Sequence, residues 1–193
     1  MTSPIIAAAC RYDGAAILFH WLSAVLVLAL IAVGFVMTRL TAGGADQFTL
    51  YQLHKSLGVM LLLLTALRVV WRATRQSPPW PSGSLHRRRA ARLMHRVLYV
   101  CLFAAPLAGW ALVSASTLNI PTTLFGLVTL PHFPVLSDLD PASRARVEPV
   151  LSRAHAILAY VLAGLVLLHS AAAIWHGRPV LARMAPRWPR RKG

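Results

Sequence analysis

Two histidines lie inside the last long apolar stretch of the sequence, at positions 155 and 169. This stretch, from Arg153 to His176, is apolar and long enough to cross a bilayer as a helix. At about 100° per residue, fourteen residues of helix bring the two side chains within about 40° of the same face, roughly 21 Å apart along the axis. Polar side chains in a membrane helix are costly and usually face a partner inside the bundle. The spacing therefore predicts two stacked sites, one near each side of the membrane.

The composition is typical of a membrane protein. Of the 193 residues, 57% are hydrophobic and only 13% are charged, which is too apolar for an ordinary soluble domain. We predict an all-α, integral membrane four-helix bundle that forms a single domain over residues 1–193 and lies in the lipid bilayer. The predicted spans lie near residues 15–37, 50–71, 95–118 and 153–176, and a basic tail covers 177–193. Between them, residues 85–95 are predicted as an amphipathic surface helix and 119–149 as a long loop.

The net charge of +15 reflects topology and does not indicate nucleic-acid binding, because the basic residues lie outside the apolar runs. Fifteen of the 20 Lys and Arg residues belong to the N-terminal tail, the connection between spans two and three, and the C-terminus, with the adjoining span ends. The other two loops and their adjoining span starts carry five. The positive-inside rule then places both termini and the Arg-rich connection between spans two and three in the cytoplasm.

Two more histidines match the depths of the first two. His20, in span one, matches His169 on the cytoplasmic side, and His54, at the start of span two, matches His155 on the outer side. Pairs of imidazoles on facing helices are what bis-histidine ligation of haem iron requires. Zinc or copper would need three or four converging ligands, and no predicted span contains Asp or Glu. The sequence has no Cys-x-x-Cys-His motif, so covalently attached haem is not indicated.

The sequence resembles the bacterial di-haem cytochrome b561 family, four-helix cytochromes b of the inner membrane, over roughly residues 12–186. The residues that carry the resemblance are His20-Trp21, His54-Lys55-Ser56-Leu57-Gly58, Arg68-x-x-Trp71-Arg72, His155 with His169, and the loop Phe125-Gly126-Leu127 with Leu130-Pro131. Together these motifs are fairly specific, whereas each by itself is weak.

The resemblance implies two haem b groups per chain, one ligated by His20 and His169 and the other by His54 and His155. It also implies electron exchange with ubiquinone or a related membrane quinone. Some members of the family oxidise superoxide at the outer face and pass the electron to quinone, which would make the chain a quinone-linked oxidoreductase. Lys55 would sit where the outer haem propionates emerge, and a contact between them is expected, although snorkelling to the interface explains this lysine nearly as well.

Two other functions remain open from the sequence. The first is a cytochrome b anchor subunit. It would bind a dehydrogenase as its redox partner protein and transfer the electrons of that dehydrogenase to quinone. The second is a haem-free metal or solute transporter in which the histidines line a path. His95, at the start of span three, could contact a haem propionate or a quinone, but it is expected to face the head groups and is not included among the ligands.

Overall fold

The computed structural model describes residues 11–42, 44–76, 78–79 and 84–186, so the end of the predicted basic tail, 187–193, lies outside the described residues. Four long helices dominate this part of the chain and confirm the predicted all-α architecture. They are α1 (Gly14–Met37), α2 (Ala45–Thr74), α3 (Leu85–Ala115) and α5 (Pro141–Trp175). The shorter elements are β1 (Thr122–Leu124), β2 (Val128–Leu130), α4 (Pro134–Ser137) and α6 (Arg178–Met184).

The surfaces of the long helices are apolar where a bilayer would surround them. Leu18, Leu28, Leu63 and Leu167 are each more than half exposed in the isolated chain. A soluble protein rarely leaves so many large aliphatic side chains in water, whereas lipid tails solvate them at no cost. All four helices are long and apolar enough to span a membrane, which agrees with the prediction of a multi-pass protein.

The helices pack in chain order around a small core. Close backbone contacts join α1 to α2, α2 to α3, and α3 to α5, and the buried residues at the centre are Val27, Leu61, Cys101, Leu102 and Leu162. Within the described part of the chain, α5 makes few or no close backbone contacts with α1 or α2. Side chains alone therefore bridge the space between α5 and the first two helices.

Two helices begin earlier than hydropathy predicts. Helix α3 starts at Leu85, where the Ser84 side chain accepts a hydrogen bond from the backbone N–H of Arg87. Residues 85–95, predicted as a separate surface helix, are therefore the first turns of α3. Helix α5 starts at Pro141, capped by the Asp140 carboxylate. Its 35 residues would span about 52 Å, so more than a third of it extends beyond a hydrocarbon core of about 30 Å.

The predicted loop at 119–149 contains regular structure. Strands β1 and β2 form an antiparallel hairpin in which Thr123 pairs with Thr129. Phe125 and Gly126 both adopt positive φ values, +48° and +76°, as a tight hairpin turn requires. Gly126 accepts this conformation without strain, whereas Phe125 is strained by its Cβ. We call the end of the bundle that carries this hairpin the hairpin end.

Polar contacts join α3 to α5 at the hairpin end. The Glu148 carboxylate accepts hydrogen bonds from the Ser116 hydroxyl, at 3.0 Å, and from the Thr117 backbone N–H, at 3.1 Å. The Arg144 guanidinium donates to the carbonyls of Ala115 and Ser116. These carbonyls at the end of α3 have no partner within the helix, so Arg144 acts as its C-terminal cap.

The opposite end of the bundle, which we call the terminal end, holds the first and last described segments together. The Trp21 indole donates to the Met184 carbonyl at 2.7 Å, and the Asp13 carboxylate caps α1 while accepting from the Trp71 indole. Burial alone would raise the pKa of the Asp13 carboxyl, but the hydrogen bonds from Ala16 and Trp71, together with Arg75, lower it below its usual value. The stabilisation from this cap is therefore present above the unfolded-state pKa and is lost as pH falls through the lower folded value.

Candidate haem sites

The structure brings His54 and His155 together at the hairpin end. Their ring centres lie 6.1 Å apart across the space between α2 and α5, with the ring planes nearly perpendicular. Two imidazoles bonded at about 2 Å to opposite sides of one metal ion would have ring centres roughly 6 Å apart. The separation therefore suits two axial ligands on a single iron.

Helix α3 holds the ring of His155 in place. Its Nδ1 lies 3.0 Å from the carbonyl oxygen of Ala105. A ligating histidine usually donates its other ring N–H to such an oxygen, which fixes the tautomer and leaves the Nε2 lone pair for the metal. One turn further along α3, a Cβ added at Gly109 would lie 3.1 Å from His155 Cε1. A glycine here lets the imidazole approach the backbone of α3.

His54 has a similar neighbour on α1. A Cβ added at Gly34 would lie 3.2 Å from His54 Cε1, so a larger residue there would crowd the ring. A cavity of about 60 Å³ lies between His54 and His155, and its walls include Gly58, Leu61 and other apolar side chains. A macrocycle is larger than this cavity, so neighbouring side chains would have to rotate to admit it.

At the terminal end the structure brings three histidines together where the sequence predicted two. The ring centres of His20 and His169 are 6.3 Å apart, which again suits two axial ligands. His95, expected to face the head groups, instead packs edge-on against His169 at 5.4 Å. Its Nδ1 lies 2.6 Å from the Ala91 carbonyl oxygen. The surroundings of His95 differ from those expected because α3 begins ten residues earlier than the predicted span, which places position 95 well inside the helix.

The donor set fits haem b better than a metal ion bound by protein ligands alone. Each pair supplies two neutral-nitrogen donors from helices whose backbones are not in close contact. Nδ1 of His20 is buried and has no hydrogen-bond partner among the described residues, which is costly unless a ligand or cofactor changes its surroundings. Within that part of the chain, no group of three or more His, Cys, Asp or Glu side chains could hold a metal ion. The residues therefore fit two bis-histidine haems.

Lys55 binds the segment between α3 and β1 in this structure. Its Nζ donates to the Pro121 carbonyl at 2.9 Å, and the Gln52 amide donates to the same oxygen at 3.1 Å. The bond to Pro121 uses one of the three Lys55 ammonium protons. The expected contact between Lys55 and a haem propionate stays a prediction.

The hairpin is fastened to the turn of α2 that carries His54. The Ser56 hydroxyl accepts a hydrogen bond from the Phe125 backbone N–H at 3.1 Å, and it donates to the Gln52 carbonyl of its own helix. On α3, Ser114 makes the equivalent pair of bonds with Phe133 and Trp110. Both serines are almost fully buried. The segment between α3 and α4, which includes the hairpin, is therefore bonded to one buried serine on each of two helices.

We expect Ser56→Ala to loosen the hairpin without unfolding the bundle. The Phe125 N–H loses its partner, which should cost about 1 kcal/mol locally and speed amide exchange in the hairpin roughly fivefold. Hydrogen exchange measured by mass spectrometry tests this expectation. Ser23→Ala is the matched control, because Ser23 is also buried but bonds only to the Phe19 carbonyl of its own helix. Equal rates of hairpin amide exchange in both variants would show that the Ser56 hydrogen bond does not hold the hairpin to α2.

Several residues that shape the sites were not identified as such from the sequence. Gly34 and Gly109 lie close to the two imidazoles only because of how the neighbouring helices are rotated about their axes. The Ala105 carbonyl carries no side-chain signal at all. The only hint in the sequence was the presence of glycines inside otherwise continuous apolar runs.

Comparison with known proteins identifies a family for this chain. Residues 11–187 match the family model described as prokaryotic cytochrome b561. The chain is 36% identical to "Cytochrome b561 homolog 2" of Escherichia coli (strain K12) over 122 residues, which cover 63% of this chain and 64% of the relative. The family signifies haem b and electron transfer in a membrane. On the match over nearly its whole length, this chain belongs to the prokaryotic cytochrome b561 family.

Proposed function

We propose that the chain binds two haem b groups and carries electrons between the two ends of the bundle, exchanging them with ubiquinone or a related membrane quinone. The observation that supports this proposal is the pair of His–His separations, 6.1 and 6.3 Å, stacked along one face of α5. A single histidine pair would serve one haem, whereas two pairs at different depths provide a path through the bundle.

In this proposal each residue has a defined task. His20 and His169 hold the haem of the terminal end, and His54 and His155 hold that of the hairpin end. The Ala105 carbonyl would accept a hydrogen bond from Nδ1–H of His155, which would leave Nε2 available to bind the iron. When bound, haem iron supplies one-electron transfer by alternating between its ferric and ferrous states. The apolar side chains around both histidine pairs exclude water. Surroundings of low polarity favour the oxidation state of a bound haem that has the smaller net charge.

The charge distribution supports a defined orientation in the bacterial inner membrane. Most Lys and Arg residues belong to the terminal end and its adjoining connections, so the positive-inside rule places this end, with both termini, in the cytoplasm. The hairpin and the His54–His155 pair would then face the periplasm. Superoxide formed there would meet the hairpin-end haem first, as the superoxide oxidation known in some members of the family requires.

Membership of a cytochrome family argues against the haem-free transporter. The anchor-subunit function differs from the proposal only in the electron donor, which would then be a dehydrogenase bound to the chain.

Haem stoichiometry and donor specificity test the proposal together. Pyridine haemochrome analysis of the purified protein should give two haem b per chain. A short-chain ubiquinol should reduce the haems, and the oxidised quinone should reoxidise protein reduced with dithionite. Enzymatically generated superoxide serves as a parallel donor and should be compared with and without superoxide dismutase. Two haems that react with neither donor would favour the anchor-subunit function, and fewer than two haems would contradict the paired-histidine proposal.

A further inference from the structure

A second cavity, of about 330 Å³, lies at the terminal end between α2 and α3. This volume falls at the lower end of the roughly 300–1,000 Å³ range of small-molecule clefts. The residues that line it are Val69, Arg72, Arg92, His95, Arg96 and Tyr99. Those contributed by α3 follow one another at steps of three, one and three residues, which places them on a single helix face. None of the lining residues belongs to the haem ligands assigned above.

The cavity has a strong excess of positive charge. Three arginines line it, and none of the five acidic residues of the chain does. Some arginine side chains elsewhere are occupied: Arg144 caps α3, and Arg183 donates to the carbonyls of Pro78 and Pro79. Within the described part of the chain, the guanidinium groups of Arg92 and Arg96 have neither a hydrogen bond nor an ion pair. Their donors are available to an oxyanion, which guanidinium groups bind strongly.

Tyr99 restrains the α2 side of the cavity. The guanidinium groups of Arg68 and Arg72 lie 5.3 and 6.0 Å from the centre of its ring, within the range of cation–π attraction. The aromatic ring therefore helps to hold positive charge at the cavity wall without neutralising it. A side chain held in this way loses less conformational freedom when it binds an anion.

Exposed apolar residues directly follow three of the lining residues in the sequence. Val70 is 61% exposed, Leu93 62% and Val100 64%, and all three lie on the two helices that form the cavity. A ligand that bound here would have a charged group among the guanidinium groups and apolar chains beside these residues. Free phosphate lacks the second part, whereas an anionic phospholipid has both.

We propose that this cavity binds the phosphate head group of an anionic phospholipid, with its acyl chains lying along the exposed apolar side chains of α2 and α3. The lipid would be held at a defined position beside His95 and the terminal-end histidine pair. The site is independent of the electron donor and acceptor discussed above. It differs from general attraction between basic residues and a membrane surface because specific arginines line a cavity.

Binding of dioctanoyl phosphatidylglycerol to the detergent-purified holoprotein tests the proposal. Calorimetry and native mass spectrometry should show one saturable site in the wild type. Arg92→Gln/Arg96→Gln should weaken binding by roughly 25-fold, since each basic side chain beside an anionic lipid contributes roughly fivefold. The matched control is Arg87→Gln/Arg89→Gln, which removes the same charge from the same helix but not from the cavity. Arg96→Gln alone, expected to weaken binding roughly fivefold, provides a milder variant if the double variant folds poorly.

Three outcomes would overturn the assignment. Equal weakening in the control variant would show general surface attraction. Competition by inorganic phosphate at the same concentration as the lipid would show a site for free anions. Unchanged lipid binding in Arg92→Gln/Arg96→Gln, with loss of one haem from that variant alone, would assign the arginines to haem propionates. Haem stoichiometry of the wild type is measured separately, so failure of the lipid site and failure of the proposed function are distinguishable.

Discussion

His155→Ala should remove the hairpin-end haem and leave the other, and His169→Ala should do the reverse. Each variant removes one of the two proposed ligands of its haem, and the remaining imidazole on its own would hold the iron weakly. Pyridine haemochrome analysis should therefore fall from two haems per chain to one in each variant. The haem that remains in His155→Ala and the haem that remains in His169→Ala should differ in reduction potential, because the terminal end carries far more positive charge.

His176→Ala is the matched control, because this exposed histidine ends α5 and belongs to neither pair. It should retain both haems. The pair His20→Ala and His95→Ala then tests the terminal end, where both rings approach His169. Loss of one haem from His20→Ala, with both retained in His95→Ala, is the expected result. The opposite result would make His95 the ligand, and two haems in His155→Ala would rule out the hairpin-end pair.

Gly109→Val should disrupt the hairpin-end haem from a position on a helix that supplies no ligand. A Cβ at this position would lie 3.1 Å from Cε1 and 3.3 Å from Nδ1 of His155. The branched side chain would displace the imidazole from the Ala105 carbonyl, and overpacking of this kind typically costs about 1–3 kcal/mol. We expect loss of this haem, or a changed low-spin signal in its ferric electron paramagnetic resonance spectrum. Gly109→Ala should give a smaller change of the same kind.

Gly164→Val is the matched control for this substitution. Gly164 is exposed on α5, and an added Cβ would meet nothing within 4 Å. Both variants replace a helical glycine by the same residue, so the difference between them isolates the contact with His155. A Gly109→Val protein with two haems and an unchanged spectrum would show that the close approach of α3 has no role in ligation.

Hydropathy located all four spans because lipid imposes a simple rule: about 20 consecutive apolar residues are needed to cross the bilayer. The same criterion misplaced the start of α5 and separated residues 85–95 from span three, since helices continue into water wherever caps and local propensity support them. Ser84 and the Asp140-Pro141 pair are ordinary helix-start signals. Hydropathy does not detect them, because the turns that follow them are rich in charged residues.

The hairpin was not predicted from its sequence. Phe125-Gly126 is a weak turn signal, since an aromatic residue seldom adopts positive φ. Its conformation is stabilised from outside the loop, by the Ser56 hydroxyl and by the bonds from Gln52 and Lys55 to Pro121. A local sequence pattern does not predict contacts between residues about 70 positions apart.

The sequence by itself determined the membrane class, the number of spans and the four candidate ligands, because helical periodicity and depth are properties of each segment alone. Only the tertiary structure decided which ring lies nearest which, that His95 contacts His169, and that Gly34 and Gly109 border the imidazoles. These features depend on the rotation of each helix about its axis. That rotation is set by side-chain packing between helices, which no single segment encodes.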